Sequence, residues 1–235
     1  MFNIFHPGRV RIKNFKIKMQ NQKEEHRDDE KDDYLRIVDY LPGGRTDIPY
    51  HKRKPTALGV GEKYFSLLEV VPREDASFES GERVYVGSET RKKVDYIERK
   101  IRYAQLTVTA RIELPDIIEE IVTDNEKYFI GFYNTAEKKA LSCLQRISKK
   151  QVDEIMDERH RQPFESFEDL IMAVKSLPDP AKVLSHEITR ELKGESKNHL
   201  FVPAVKEEQS GGRREKKRKK PPKRSLEERE ERTKS

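Results

Sequence analysis

Three tyrosines in the first half of the chain keep company with cations: Tyr34 precedes Arg36, Tyr85 follows Arg83, and Tyr64 stands between these pairs in the sequence. A basic loop, His51-Lys52-Arg53-Lys54-Pro55, separates the first two of these tyrosines. Aromatic rings stack on bases of any sequence and cations follow a phosphate backbone, so Lys52, Arg53, Lys54, Tyr64, Arg83 and Tyr85 suit single-stranded nucleic acid. Each tyrosine would serve equally well as an ordinary half-buried strand residue. Lys92, Lys93, Arg99 and Lys100 add charge just beyond, although Asp95 and Glu98 temper it and a solvated face explains such a run as well. Arg146, Lys149 and Lys150 form another cluster, around the start of a helix where anions are favoured. The stretch Arg213–Arg224, with Arg213, Arg214, Lys216, Lys217, Arg218, Lys219 and Lys220 at its head, holds nine basic residues against one acid. It cannot bury a core, and it will associate with RNA, DNA or any acidic surface.

Catalytic patterns are missing from the sequence. No GxxxxGK[ST], GxSxG, HExxH or CxxC occurs. Gly59-Val60-Gly61 lacks the third glycine of a dinucleotide loop and reads as a hairpin turn. Glu119 and Glu120 are adjacent and diverge on a helix, which makes them poor metal ligands. Cys143 stands alone, so no internal disulfide forms and a reducing cytoplasm is expected. The six histidines are scattered without zinc spacing. No apolar run approaches the roughly 20 residues that span a membrane. The expectation is a non-enzymatic cytoplasmic protein without cofactor or metal.

The elements that must position these residues follow from periodicity. The chain has 235 residues, of which 34% are hydrophobic and 39% charged, so its core is modest and extensions are expected. Residues 1–33, a basic half followed by an acidic half, offer little to bury and read as a disordered extension, with Met19 an alternative start. YLRIVDYL from Tyr34 reads as a strand closed by Pro42-Gly43-Gly44, and TALGV, YFSLLEVV and ERVYVG follow between further turns. Short strands separated by Gly and Pro predict a small barrel of the OB or S1 kind over 34–106. Arg91 to Tyr103 reads as a helix with Val94, Ile97 and Ile101 as its apolar row. Pro115 suits the first position of a helix whose face is Ile117, Ile118, Ile121, Val122 and Phe129. Further helices are expected at 136–147, 149–161, 166–175 and 181–193, with Gly194 ending the last. The segment 203–235 is expected to be a disordered basic tail.

Charge is unevenly spread. Residues 34–106 hold 14 basic against 11 acidic residues, 107–205 hold 14 against 18, and 206–235 hold 13 against 7. Polyanion binding is therefore expected from the barrel and the tail rather than from the acidic helical part.

Within the helical part, Leu144 to Leu170 reads as two helices joined by the tight connection Arg146-Ile147-Ser148, with a third opened by Ser166 and Asp169. This resembles a helix-hairpin-helix, which grips nucleic-acid backbones through a Gly-hydrophobic-Gly turn whose bare N–H groups approach a phosphate. Arg146 and Ser148 occupy both glycine positions here. A packing role for the hairpin is the alternative, with Arg146, Lys149 and Lys150 as its functional remnant.

Several longer stretches, YLRIVDYLPGG, GEKYFSLLEVVP, GERVYVG, RKKVDYIERKIRY, ELPDIIEEIV, QPFESFEDL, LPDP and HLFV, run in order over about residues 33–202. In these the chain resembles an archaeal family, domain of unknown function 655, whose members are labelled RNA-binding. The resemblance implies an α+β multidomain protein, with an OB-like barrel at 34–106 and an all-α helix-hairpin-helix-type domain at 107–202. The family turn is Pro-Gly-Ile-Gly before two lysines; Ile147, Lys149 and Lys150 match it and the two glycines do not. RNA, above all ribosomal RNA, is the partner expected. A DNA-binding or repair accessory factor, or a protein-interaction adaptor using the acidic helical domain, are the alternatives.

Overall fold

The computed structural model describes residues 31–203, so the calls on residues 1–30 and on the basic tail beyond 203 lie outside the described residues. Five strands, β1 (Tyr34–Leu41), β2 (Thr56–Gly61), β3 (Leu67–Pro72), β4 (Arg83–Tyr85) and β5 (Val94–Lys100), form one antiparallel sheet in the order β4-β1-β2-β3-β5. The sheet curls into a half-barrel. Six α-helices follow it among the described residues: α1 (Val108–Asp124), α2 (Glu126–Thr135), α3 (Lys138–Leu141), α4 (Lys149–Arg161), α5 (Phe167–Ala173) and α6 (Pro180–Lys193).

The middle of the sheet is covered on both faces, so β2 and β3 are buried at every residue, while the edge strand β5 is mostly exposed. Leu35, Ile37, Ala57, Val70, Val84 and Val94 meet inside the curl around Phe78. Val38, Leu58, Val60 and Leu67 point the other way, into a larger cluster with Leu114, Ile117, Ile118 and Ile121 of α1. Strand alternation sends Ile37 and Val38 to opposite cores. A bulge follows between Ile37 and Asp39, and Asp39 accepts from the hydroxyl of Thr107. Thr107 in turn caps α1 by accepting from the Ala110 N–H at 3.1 Å. Strands give way to helices between Lys100 and Val108, yet the larger core runs across that change from the half-barrel into α6.

Four sequence expectations need correction. Residues 91–103 do not form a helix: 94–100 are the edge strand β5, paired to β3. Register shifts opposite Glu69/Val70 and Val71/Pro72 give β5 extra residues, so Val94 and Ile97, three apart, both reach the inner core. A bulged strand thus imitates helical spacing. Pro115 is not a first-turn residue but lies within α1, which begins seven positions earlier at Val108. Gly59 belongs to β2 rather than to a turn. The fold also begins before Tyr34, because Asp32 is only 4% exposed. Its carboxylate accepts from the N–H groups of Lys63 and Tyr64, each at 2.8 Å, and of Ser66 at 3.3 Å. The helical part is closer to expectation: α4 covers the residues foreseen, the helix expected at 136–147 shrinks to Lys138–Leu141, the face from Ile117 to Phe129 is divided between α1 and α2, and Gly194 ends α6 in the left-handed conformation at φ 76°.

Candidate nucleic-acid interface

The short edge strand β4 pairs with the start of β1, so that Tyr34 faces Tyr85 and Arg36 faces Arg83. Cross-strand partners lie side by side. The two rings meet edge to face at 5.3 Å, and the Arg83 guanidinium carbon lies 3.6 Å from the centre of the Tyr34 ring. Arg83 Nε donates to both oxygens of Glu62, at 2.8 and 3.0 Å. Arg36 Nε donates to the same carboxylate at 2.8 Å, and its other end pairs with Asp124 at the end of α1. Burial pulls the Glu62 carboxyl upward, but the two guanidinium groups outweigh it and hold it below its ordinary range. The bond to Glu62 raises Arg83 above its own.

Beside this pair lies an open concavity of about 450 Å³, lined by Tyr34, Arg83, Tyr85, Lys92 and Lys93 together with Glu82, Val84, Glu89 and Thr90. Lys93 Nζ is held by Glu82 at 2.6 Å and by the Ser77 carbonyl at 3.1 Å. Lys92 is exposed and makes no bond to another described residue. The Tyr85 hydroxyl accepts from the Glu89 N–H at 3.1 Å. A side chain at Gly87 would place its Cβ 2.4 Å from that hydroxyl, so only glycine leaves the ring where it is. Arg83, Tyr85, Lys92 and Lys93 are thus brought together, and Tyr34 joins them by strand register.

The remaining candidates lie elsewhere. Arg53 braces its own loop, donating to the carbonyls of Ile48 at 2.8 Å and Thr46 at 3.1 Å. Lys54 is held by Glu98 at 2.6 Å and the Tyr96 hydroxyl at 2.7 Å, and the bond to Glu98 raises its pKa. Arg99 pairs at 2.9 Å with Glu69, a buried carboxylate that Arg45 also approaches. Lys52 and Lys100 are exposed. Tyr64 lies on the β2–β3 loop, beyond Glu62 and outside the concavity.

At the α3–α4 connection Arg146 adopts φ 72°, the left-handed conformation of a turn glycine. Ser148 instead caps α4: its N–H donates to Gln151 Oε1 at 2.8 Å and its hydroxyl accepts from the Gln151 N–H at 3.3 Å. Two backbone donors of this turn, the N–H groups of Ser148 and Gln151, are therefore used within the helix end. Gln151 Nε2 also donates to the Ser176 carbonyl at 2.6 Å, tying the turn to the α5–α6 loop. Lys149 and Lys150 are exposed, the latter 3.7 Å from Glu154. On α1, Asp116, Glu119, Glu120 and Asp124 border a shallow groove of about 670 Å³ with Arg36 and Lys182. That groove repels a polyanion along most of its length. Among the described residues, no helix is long and apolar enough to cross a membrane.

The model of a protein family of unknown function, DUF655, matches residues 31–203. The chain belongs to this family. The uncharacterized protein MJ0038 of Methanocaldococcus jannaschii is 36% identical over 178 residues, which cover 73% of this chain and 80% of that protein. The crystal structure of Af1531 from Archaeoglobus fulgidus, a member of the same family, superposes with a TM-score of 0.68 at 38% identity. The match covers 73% of this chain and 99% of that one. The family match begins at residue 31, next to the buried Asp32, and ends where the described fold does.

Proposed function

We propose that this DUF655 protein is a non-enzymatic, cytoplasmic RNA-binding protein whose half-barrel is OB-like and holds single strands at the β1–β4 edge. The observation that carries this reading is the concavity in which Tyr34 and Tyr85 stand with Arg83, Lys92 and Lys93. Stacking faces beside cations are what a flexible strand needs, whereas a duplex hides its bases from such a surface. The helix-hairpin-helix reading of α3 and α4 goes with a packing role, since the Ser148–Gln151 capping box occupies two of the backbone donors at the turn. The basic stretch at 213–224 supplies affinity without selectivity by releasing counterions. Its density of cations suits ribosomal RNA, where phosphates are closely packed.

The test compares the full chain with a Tyr34→Ala/Tyr85→Ala variant on single- and double-stranded RNA at two salt concentrations. Loss of about 1–3 kcal/mol per stack on the single strand, with little change on duplex, is expected. Equal losses on both substrates would make this edge structural and overturn the reading. Crosslinking in cells followed by sequencing should return ribosomal RNA. The acidic groove on α1 favours a second reading, an adaptor for a basic protein, which would instead give protein-only crosslinks.

A further inference from the structure

The aromatic and basic surface does not end at the concavity. On the far side of Glu62 the β2–β3 loop carries Lys63 and Tyr64, with the Lys63 ammonium 4.9 Å from the centre of the Tyr64 ring. Hydrogen bonding fixes the path of this loop: the buried Asp32 carboxylate accepts from three of its N–H groups, and Phe65 is held at φ 52°. Phe65 turns inward and packs against Phe129 of α2, with ring centres 6.4 Å apart. Tyr128, next to Phe129, sets its ring edge to face with it at 5.1 Å.

The loop and the α1–α2 junction are thus bolted together twice, by the Phe65–Phe129 contact below and by Arg36 bridging Glu62 to Asp124 beside it. Tyr64 and Tyr128 are held on adjoining elements as a result. Tyr128 is 61% exposed, and its neighbour Lys127 is exposed as well. Burial around the hydroxyl end pushes the Tyr128 phenol up, and Tyr64 and Lys63 are near enough to act on it electrostatically. An exposed tyrosine by itself needs no explanation. Two tyrosines with two lysines, fastened by a buried carboxylate and a bridging arginine, form a second surface of the chemistry already found at the concavity.

We infer that Tyr64 and Tyr128, with Lys63 and Lys127, form a second stacking site for single-stranded RNA, which continues from the concavity past Glu62 onto α2. This rests on the half-barrel edge as the first site and extends it to the helical half of the chain. The acidic groove next to Arg36 borders the path on one side and keeps a strand from spreading over α1.

The experiment titrates the full chain, at about 0.2 M salt to reduce the tail's share, with oligouridylate strands of about 4 and about 12 nucleotides. Tyr128→Ala should weaken binding of the longer strand by roughly tenfold and leave the shorter one unchanged. Tyr128→Phe should bind like the parent, because stacking does not need the hydroxyl. Iodouridine placed in the longer strand should crosslink to Tyr128. Thermal unfolding of Tyr128→Ala should show one cooperative transition lowered by only a few degrees, about what loss of the edge contact with Phe129 costs, so the variant stays folded for the titration. Unchanged affinity of Tyr128→Ala for the longer strand would overturn the inference. Losses in the Tyr34→Ala/Tyr85→Ala variant alone would keep the first site and remove the second. Losses in Tyr128→Ala alone would keep the second and remove the first, and no loss in either would remove both.

Discussion

The half-barrel edge and the α3–α4 turn both place cations beside backbone that could meet a phosphate, and they differ in what their hydrogen bonds are already doing. At the edge, Glu62 fixes Arg83 and Arg36 from one side, and the Tyr34 and Tyr85 rings next to them border an open concavity. At the turn, Ser148 and Gln151 satisfy each other, and Arg146 takes the left-handed conformation that a glycine would hold without strain. A group already committed within its own element is not free for a ligand. Support coming from behind leaves the presented face free, while support within the face consumes it.

The comparison breaks first if the scaffold behind the barrel surface is removed. Asp32→Ala strips a buried acceptor from three N–H groups and should cost about 3 kcal/mol in urea denaturation. A cost below about 1 kcal/mol would mean the β2–β3 loop holds its shape without Asp32. Gln151→Ala at the turn should cost less, about 1 kcal/mol, since it removes one reciprocal cap. Its RNA affinity should stay at the parent value, and a clear loss would show that the turn contacts RNA.

Arg146→Gly sharpens the contrast from the other side. It should stabilise the chain by about 1 kcal/mol, because the residue sits at φ 72°. Adding Ser148→Gly should cost only a few tenths of a kcal/mol in return. The double variant should bind duplex phosphate backbone more tightly than the parent, because losing the Ser148 hydroxyl frees the Gln151 N–H and the two glycines clear the approach to the turn. No gain would leave packing as the turn's job.

The smallest effect concerns His186 of α6. Burial lowers its pKa, Arg146 and Arg190 add to the shift with Lys193, and Glu187 opposes it; its Nδ1 is buried without a partner. The folded chain therefore resists protonation that the unfolded chain accepts, so stability is full above about 6.5 and declines as the pH falls below that value. His186→Gln should flatten the pH dependence of stability in that window. An identical slope in parent and variant would assign the acid sensitivity to other groups.

Local pattern carried much of the fold. Short apolar segments between Gly and Pro turns marked β1 to β4, and capping chemistry placed Ser166 and Gly194 at helix ends where the structure has them. Ser148 read only as a turn residue, and the structure makes it the cap of α4. Local pattern misled at β5, where bulges put Val94 and Ile97 on one face at a helical interval, and at Pro115, which lies inside α1 because the helix is capped earlier, at Thr107. Asp32 looked like one more acid in a charged run. Nothing local shows that Lys63, Tyr64 and Ser66, more than thirty residues away, turn their N–H groups onto it.

The site divides along the same line. Composition and spacing alone determined that the first half of the chain carries aromatic and basic residues together, that the helical part is acidic, and that the hairpin turn lacks its glycines. Only the tertiary structure decided which cations stay available. Arg53, Lys54, Arg99, Arg83 and Lys93 are all drawn into bonds with loop carbonyls or carboxylates, while Lys92 stays exposed, and the Phe65–Phe129 contact holds the elements that carry Tyr64 and Tyr128 together. The physical reason is that a charge pattern is written along the chain, whereas a hydrogen-bond partner is chosen by register and packing between segments far apart in sequence.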